Sequence, residues 1–359
     1  SIEDHSMPHS SVVHDNNSFL KSSLKSYQWW LGIILVAIIA AMSILASKLD
    51  VATHMGLSAL TLAIVFGIFI GNTFFPRVAN HTAIGVDYAK NKLLRVGIVL
   101  YGFRITFQQI EGIGWAGIII DILMISCTFI LAYYIGTKLL RLDKQTTMLI
   151  GAGSSICGAA AIMAAEPVIK GQAHKVSVAV ATVVVFGTIA MFLYPLIYPY
   201  LDISAEQYGM FAGSTIHEVA QVVAAGRSVS EDAANTAVIV KMIRVMMLAP
   251  FLIVLSTCIG KETHDTSHKS NSITIPWFAV LFIVASGINS LNIIPPHIVN
   301  YLIDIDSILL AMAMAALGLR THIGAIHQAG VKPLILAAIL FLFLCVGGFF
   351  INLAVLILF

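Results

Sequence analysis

Charge is what this chain has least of. Its 359 residues include 20 Lys and Arg and 18 Asp and Glu, 11% in all, where an ordinary soluble domain carries about a quarter. That deficit excludes a soluble globular fold. The net charge of +2 carries no message about nucleic acid, because the basic residues fall in short loops between apolar runs and form no patch. Cysteine is scarce too. Cys127, Cys157, Cys258 and Cys345 lie in or beside apolar segments, with no C-x-x-C pair and no His at metal-ligand spacing. Neither a disulfide framework nor a zinc centre is indicated, and no metal or cofactor is expected. No cleavable signal is visible: the run that opens at Trp29 is too long for a signal h-region, and no small-x-small site follows it cleanly.

Apolar residues fill the space that charge leaves. A hydrophobic share of 58% and a mean hydropathy of +0.92 mark an all-α polytopic membrane protein. Residues 1–28 are polar and read as a flexible tail, and residues 29–359 as one transmembrane transporter domain. Apolar runs place eleven spans near 29–47, 57–75, 93–110, 114–138, 146–165, 174–199, 207–226, 233–258, 275–294, 299–319 and 333–357. Residues 77–92 mix charged and apolar residues and suggest an interfacial helix. With the N-terminus in the cytoplasm, the inner segments hold thirteen Lys and Arg, including Lys269, and the outer ones five: Lys48, Arg104, Lys170, Lys175 and Arg227. The positive-inside rule therefore reads N-in and C-out.

One stretch departs from the pattern of a plain membrane helix. In 150–170, Gly151, Gly153, Ser154, Ser155 and Gly158 sit where Leu, Ile or Val would be usual. Lipid does not tolerate unpaired backbone, so a Gly/Ser-rich interruption points to a polar site near the midplane. Ala152-Gly153-Ser154-Ser155-Ile156 then returns sixty residues later as Ala212-Gly213-Ser214-Thr215-Ile216. A second internal likeness lays 93–104 over 309–320, with Gly102 on Gly318 and Arg104 on Arg320. These spans would cross in opposite directions, as in the inverted repeats of secondary transporters, with chance matching of Leu, Ala and Gly as the rival account. The two broken segments do not fit that repeat simply, so one is expected to be re-entrant or the likeness convergent.

Candidate residues follow from these features. Gly153, Ser154, Ser155, Cys157 and Gly158, with Ser214 and Thr215 in the second copy, would contact substrate through hydroxyls and free amides, as an oxyanion requires. The alternative is close helix packing by small residues. His217, Glu218 and Gln221 are intramembrane polar groups suited to coupling, through a proton or a bound cation. Lys241 and Arg244 share a helix face in the eighth span and would hold the anion, pair with Glu218, or both. Asp121, Asp304 and Asp306 are further candidates, while Arg104 and Arg320 would snorkel to the two interfaces. No catalytic residue is expected. The run G-S-S-I-C-G misses the G-x-S-x-G turn of a serine nucleophile.

Taken together, L-R-x-G-I-x-L-Y-G-F-R, G-A-G-S-S-I-C-G-A-A-A-I with E-P, G-S-T-I-H-E-V-A-Q-V-V-A-A-G and V-I-x-K-M-I-R-V-M-M-L-A-P resemble the YeiH-type family of bacterial inner-membrane proteins, which carries a sulfate-exporter label. The resemblance covers nearly the whole chain after residue 28. It is similar in turn to the cation:proton antiporters and anion transporters. It implies a panel domain beside a core domain with crossed, interrupted helices, a multi-pass inner-membrane location and a homodimer. The expected function is secondary transport of a small anion, such as sulfate or another sulfur oxyanion, by alternating access with possible proton coupling. A sodium-coupled carboxylate or sulfonate symporter is the alternative, and an intramembrane hydrolase the reading from another class.

Overall fold

Long apolar runs cannot bury all their surface in a globule, and here they stand side by side as helices, with no strand among the described residues. A computed structural model describes residues 11–54, 58–262, 277–324, 327 and 329–359. The order is α1 (Ser11–Ser47), α2 (Asp50–His54), α3 (Ala59–Thr73), α4 (Phe75–Tyr88), α5 (Leu94–Tyr101), α6 (Phe107–Tyr134), α7 (Lys144–Ser155) and α8 (Ala159–Ile169). Then come α9 (Ala173–Ile197), α10 (Ala205–Thr215), α11 (Val219–Arg227), α12 (Glu231–Met246), α13 (Leu248–Glu262), α14 (Trp277–Ser290), α15 (Pro296–Leu319), α16 (Val331–Leu342) and α17 (Gly348–Leu358). Six runs are long and apolar enough to cross a membrane: Leu20–Ser47, Phe107–Leu139, His174–Tyr200, Glu231–Ile259, Pro296–Leu319 and Val331–Leu358. The protein is therefore an all-α polytopic membrane protein.

Several expectations need correction. The polar stretch before Trp29 is helical from Ser11 onward, as the first part of α1. The 77–92 segment is helical, but it runs through a π-turn at Ala89–Leu93 directly into α5 and is no separate interfacial piece. Lys269 lies outside the described residues. Arg104 and Arg320 are held by ion pairs and do not stand free. Arg104 donates to Asp306 at 3.0 Å and to the Ser307 hydroxyl at 2.6 Å, and Arg320 makes a two-pronged pair with Asp87 at 2.7 Å. Each arginine thereby ties α15 to the α4–α5 run, one at each end of the bundle. Asp306 is spent on Arg104 and does not reach Lys241 or Arg244.

The largest change concerns the fifth and seventh spans, which do not cross. Gln145, at the start of α7, donates to the carbonyl of Lys170, just past α8, at 3.2 Å. Lys175 pairs with Asp143, the cap of α7, at 3.0 Å. Burial alone would raise the Asp143 carboxyl, but the Thr146 N–H, the Lys175 ammonium and the Thr146 hydroxyl hold it below the usual carboxylate range. So α7 and α8 form a hairpin whose two ends meet at one edge of the bundle. The second hairpin is α10 and α11, closed by the Tyr208 hydroxyl on the Ala225 carbonyl at 3.0 Å. It enters from the opposite edge, where Ser228 hydrogen-bonds Thr61 beside the start of α3.

Helices sort into two groups. One contains α1, α3, α4, α5, α14 and α15. The other contains both hairpins with α6, α9, α12, α13, α16 and α17. Substantial contacts between the groups are confined to α11 with α3, α12 with α14 and α14 with α6.

Candidate functional site

A helix that stops inside a bilayer leaves carbonyls unpaired at its C-terminus and N–H groups at its N-terminus, with opposite partial charges. Each hairpin tip presents both ends. In the first, α7 stays helical through Ser155, and the break is only Ile156–Gly158, shorter and later than the glycine clustering suggests. The Gly158 N–H closes the end of α7 on the Gly153 carbonyl at 2.9 Å. Gly158 then turns the chain with φ +69°, a conformation that side-chain-bearing residues rarely adopt. The second tip breaks at Ile216–Glu218.

Both carbonyl ends converge on α12. Lys241 spends three donors on the carbonyls of Ile156 (2.6 Å), His217 (2.8 Å) and Ile216 (3.0 Å). Arg244, three residues on, donates to Ser155 (2.6 Å), Ser154 (3.0 Å) and Ser214. Both side chains are fully buried. Two cations thus clamp the negative ends of α7 and α10 together at the centre of the fold: of the two partners expected for them, Glu218 or the break at Ser154 and Ser155, Arg244 reaches the break. Asp121, fully buried on α6 with neither carboxylate oxygen bonded, lies within their electrostatic range.

The positive ends face the other way, into a cavity of about 130 Å³ between the two helix groups. Its hairpin wall is Cys157, Ala159 and Ala160 at the start of α8, with Glu218, Val219 and Ala220 at the start of α11. The facing wall comes from Lys90, Asn91, Leu94, Arg95 and Ile98, closed by Phe278, Ala313 and Leu317. Glu218 caps α11 and reaches across to accept from the Ala159 N–H at 3.4 Å. A resident carboxylate therefore bridges two helix N-termini that both favour an anion.

Of the residues singled out in the sequence, Cys157 and Glu218 line the cavity and Gly158 shapes its wall. The rest stand behind it. Gly153 is where α7 touches Ile162 and Val183 with no room for a Cβ, so it serves packing. The Ser155 hydroxyl donates back to Ala152, and the Ser154 hydroxyl is buried without a partner. Ser214 accepts from Asn352 at 3.1 Å, and Thr215 bonds Tyr194 at 2.9 Å. Gln221 accepts from the Glu218 N–H at 3.1 Å, holding the tip, and His217 is buried with Nδ1 unpartnered. Lys90 and Arg95 were missed as site residues. In a regular helix they would lie about 140° apart, and only the π-turn, invisible in the residue pattern, brings both to the cavity.

Comparison with known proteins identifies the chain at the level of family. The model described as conserved hypothetical protein 698 matches residues 31–337. A UPF0324 membrane protein of Yersinia pestis is 58% identical over 333 residues, covering 90% of this chain and 92% of the relative. The UPF0324 inner membrane protein YeiH of Escherichia coli K12 is 54% identical, covering 89% and 93%. A UPF0324 membrane protein of Photorhabdus laumondii is 52% identical, covering 96% and 98%. No solved structure matches the chain. Similarity of this extent along nearly the whole length makes the chain a member of the conserved hypothetical protein 698 family, the YeiH-type bacterial membrane proteins.

Proposed function

We propose that the protein is a secondary transporter of a small anion, which binds in the cavity at the starts of α8 and α11. One observation carries the reading: two hairpins from opposite edges turn their N-terminal ends, and with them the positive ends of their dipoles, toward a cavity between two loosely joined helix groups. The hairpin-bearing group would be the moving core and the other group the panel. A volume of about 130 Å³, where one water needs roughly 10–15 Å³, suits a small oxyanion or short carboxylate. Glu218 occupies the anion position when the cavity is empty. Its protonation would release both N-termini to the substrate, which couples anion movement to protons. Sulfate or a related sulfur oxyanion remains the proposed class, in a cytoplasmic membrane with the N-terminus inside and a homodimer as the assembly.

The rival readings lose support from the same geometry. A sodium ion would need the carbonyls of the breaks, and Lys241 takes three of them. A hydrolase would need a serine or cysteine paired with His217, yet the His217 Nδ1 has no partner. The test is purified protein in proteoliposomes loaded with labelled sulfate, sulfite, thiosulfate or short dicarboxylates. Saturable flux, accelerated by unlabelled anion on the far side, is the expected result. Linear flux without exchange would mean a pore, and no flux with any of these anions would remove the reading.

A further inference from the structure

The cavity has a second charged wall that the hairpin tips do not explain. Lys90 and Arg95 reach it from the α4–α5 run of the opposite helix group, through the π-turn at Ala89–Leu93. Such one-turn widenings cost helix regularity and concentrate at functional positions. Neither side chain has a hydrogen bond or ion pair to the protein among the described residues. Arg95 stands over the ring of Phe278, its Cζ 6.0 Å from the ring centroid. Of the charged groups acting on the Glu218 carboxylate, Lys90 acts most strongly. Lys92, in the same turn, does not line the cavity.

We propose that Lys90 and Arg95 are the selectivity residues of the site, which takes an anion carrying two negative charges and holds it between these cations and the starts of α8 and α11. This rests on the anion-transport reading above. The physical reason is charge matching across the joint. Hairpin N-termini provide partial charges and one wall, enough for about a single negative charge, which Glu218 supplies while the cavity is empty. Two full cations on the facing wall are surplus to a monoanion and are matched by a dianion. A ligand that meets both walls also draws the two helix groups together, so its binding energy acts on the joint that must move.

Full-length protein in detergent, at fixed pH and ionic strength, would be titrated with two dianions, sulfate and succinate, and two monoanions, nitrate and acetate. Thermal shift gives the apparent affinities. Wild type should favour the dianions. Lys90→Gln and Arg95→Gln should each weaken dianion binding roughly tenfold or more, as expected when a hydrogen bond to a charged group is lost. Monoanion affinity should change far less, and the ligand-free melting temperature should hold, as should every value in a Lys92→Gln control. Sulfate and succinate also separate a compact from an extended dianion. Dianion preference that survives both substitutions overturns this assignment and leaves the transport reading standing. Wild type that binds none of the four anions removes the transport reading, and the assignment with it.

Discussion

Lys241 and Arg244 show how a buried cation pair can find its partners in the backbone and not in another side chain. Their position in an apolar span announces a buried partner, but the partner is backbone: six carbonyls at the C-terminal ends of α7 and α10. Losing either cation strands buried acceptors. Lys241→Met should therefore cost about 3–5 kcal/mol of stability, the range for removing one partner of a buried charged contact. The check is the melting temperature without any anion; an unchanged value would return Lys241 to the substrate. Glu218 behaves in the opposite sense. If its carboxylate competes with the substrate as proposed, anion binding to wild type should strengthen as pH falls and Glu218 takes up a proton. Glu218→Gln should bind at least as tightly as wild type at neutral pH and lose that pH dependence, as measured by thermal shift across a pH series. Weaker, still pH-dependent binding in the variant would show that another group carries the proton.

At the scale of elements, the sequence announces the two breaks but conceals their fold. Glycine and serine at 151–158 and 213–215 mark interruptions in both segments. Nothing in an apolar run of that length says whether the chain continues outward or turns back. That choice is made by Gly158 and by polar bonds at the hairpin bases, such as Gln145 to Lys170, which join residues too far apart in the chain to suggest each other. The same limit explains why the internal likenesses did not combine. Segments 93–104 and 309–320 do run antiparallel, as α5 and α15, but the hairpins lie between them in sequence, so no single shift aligns both pairs. Gly158 offers the direct test. A Cβ there would meet the Glu218 Cγ at 2.5 Å in a backbone conformation suited to glycine. Gly158→Ala should cost on the order of 1–3 kcal/mol and weaken anion binding together with stability. A neutral result in both would mean that the tip is not held as described.

Across the whole molecule the hairpins also change the expected count of charges on the two sides. Lys170 and Lys175 belong at the same edge as Lys144, so thirteen against five becomes fifteen against three. Replacing two of the eleven expected crossings by two hairpins would leave nine and preserve their odd parity. The N-terminus is then expected in the cytoplasm and the C-terminus outside, with Gln145 and Lys170 both at the cytoplasmic edge. Labelling of single cysteines at positions 145 and 170 from opposite faces would contradict the hairpin. The joint between the helix groups provides the mechanical test. At the edge away from Lys90 it is held by Tyr101 on Asn235 at 2.8 Å and Thr61 on Ser228 at 2.9 Å. Alternating access by separation of the two helix groups would require these contacts to part once in every cycle. Cysteines replacing Thr61 and Ser228, with Cys127, Cys157, Cys258 and Cys345 removed, should form a disulfide in this state. The oxidised protein should still bind anion from the Lys90 edge but lose transport, and reduction should restore it. Full flux through the cross-linked protein would mean that the two groups do not move apart at this edge, and the cavity would then have to empty by another path.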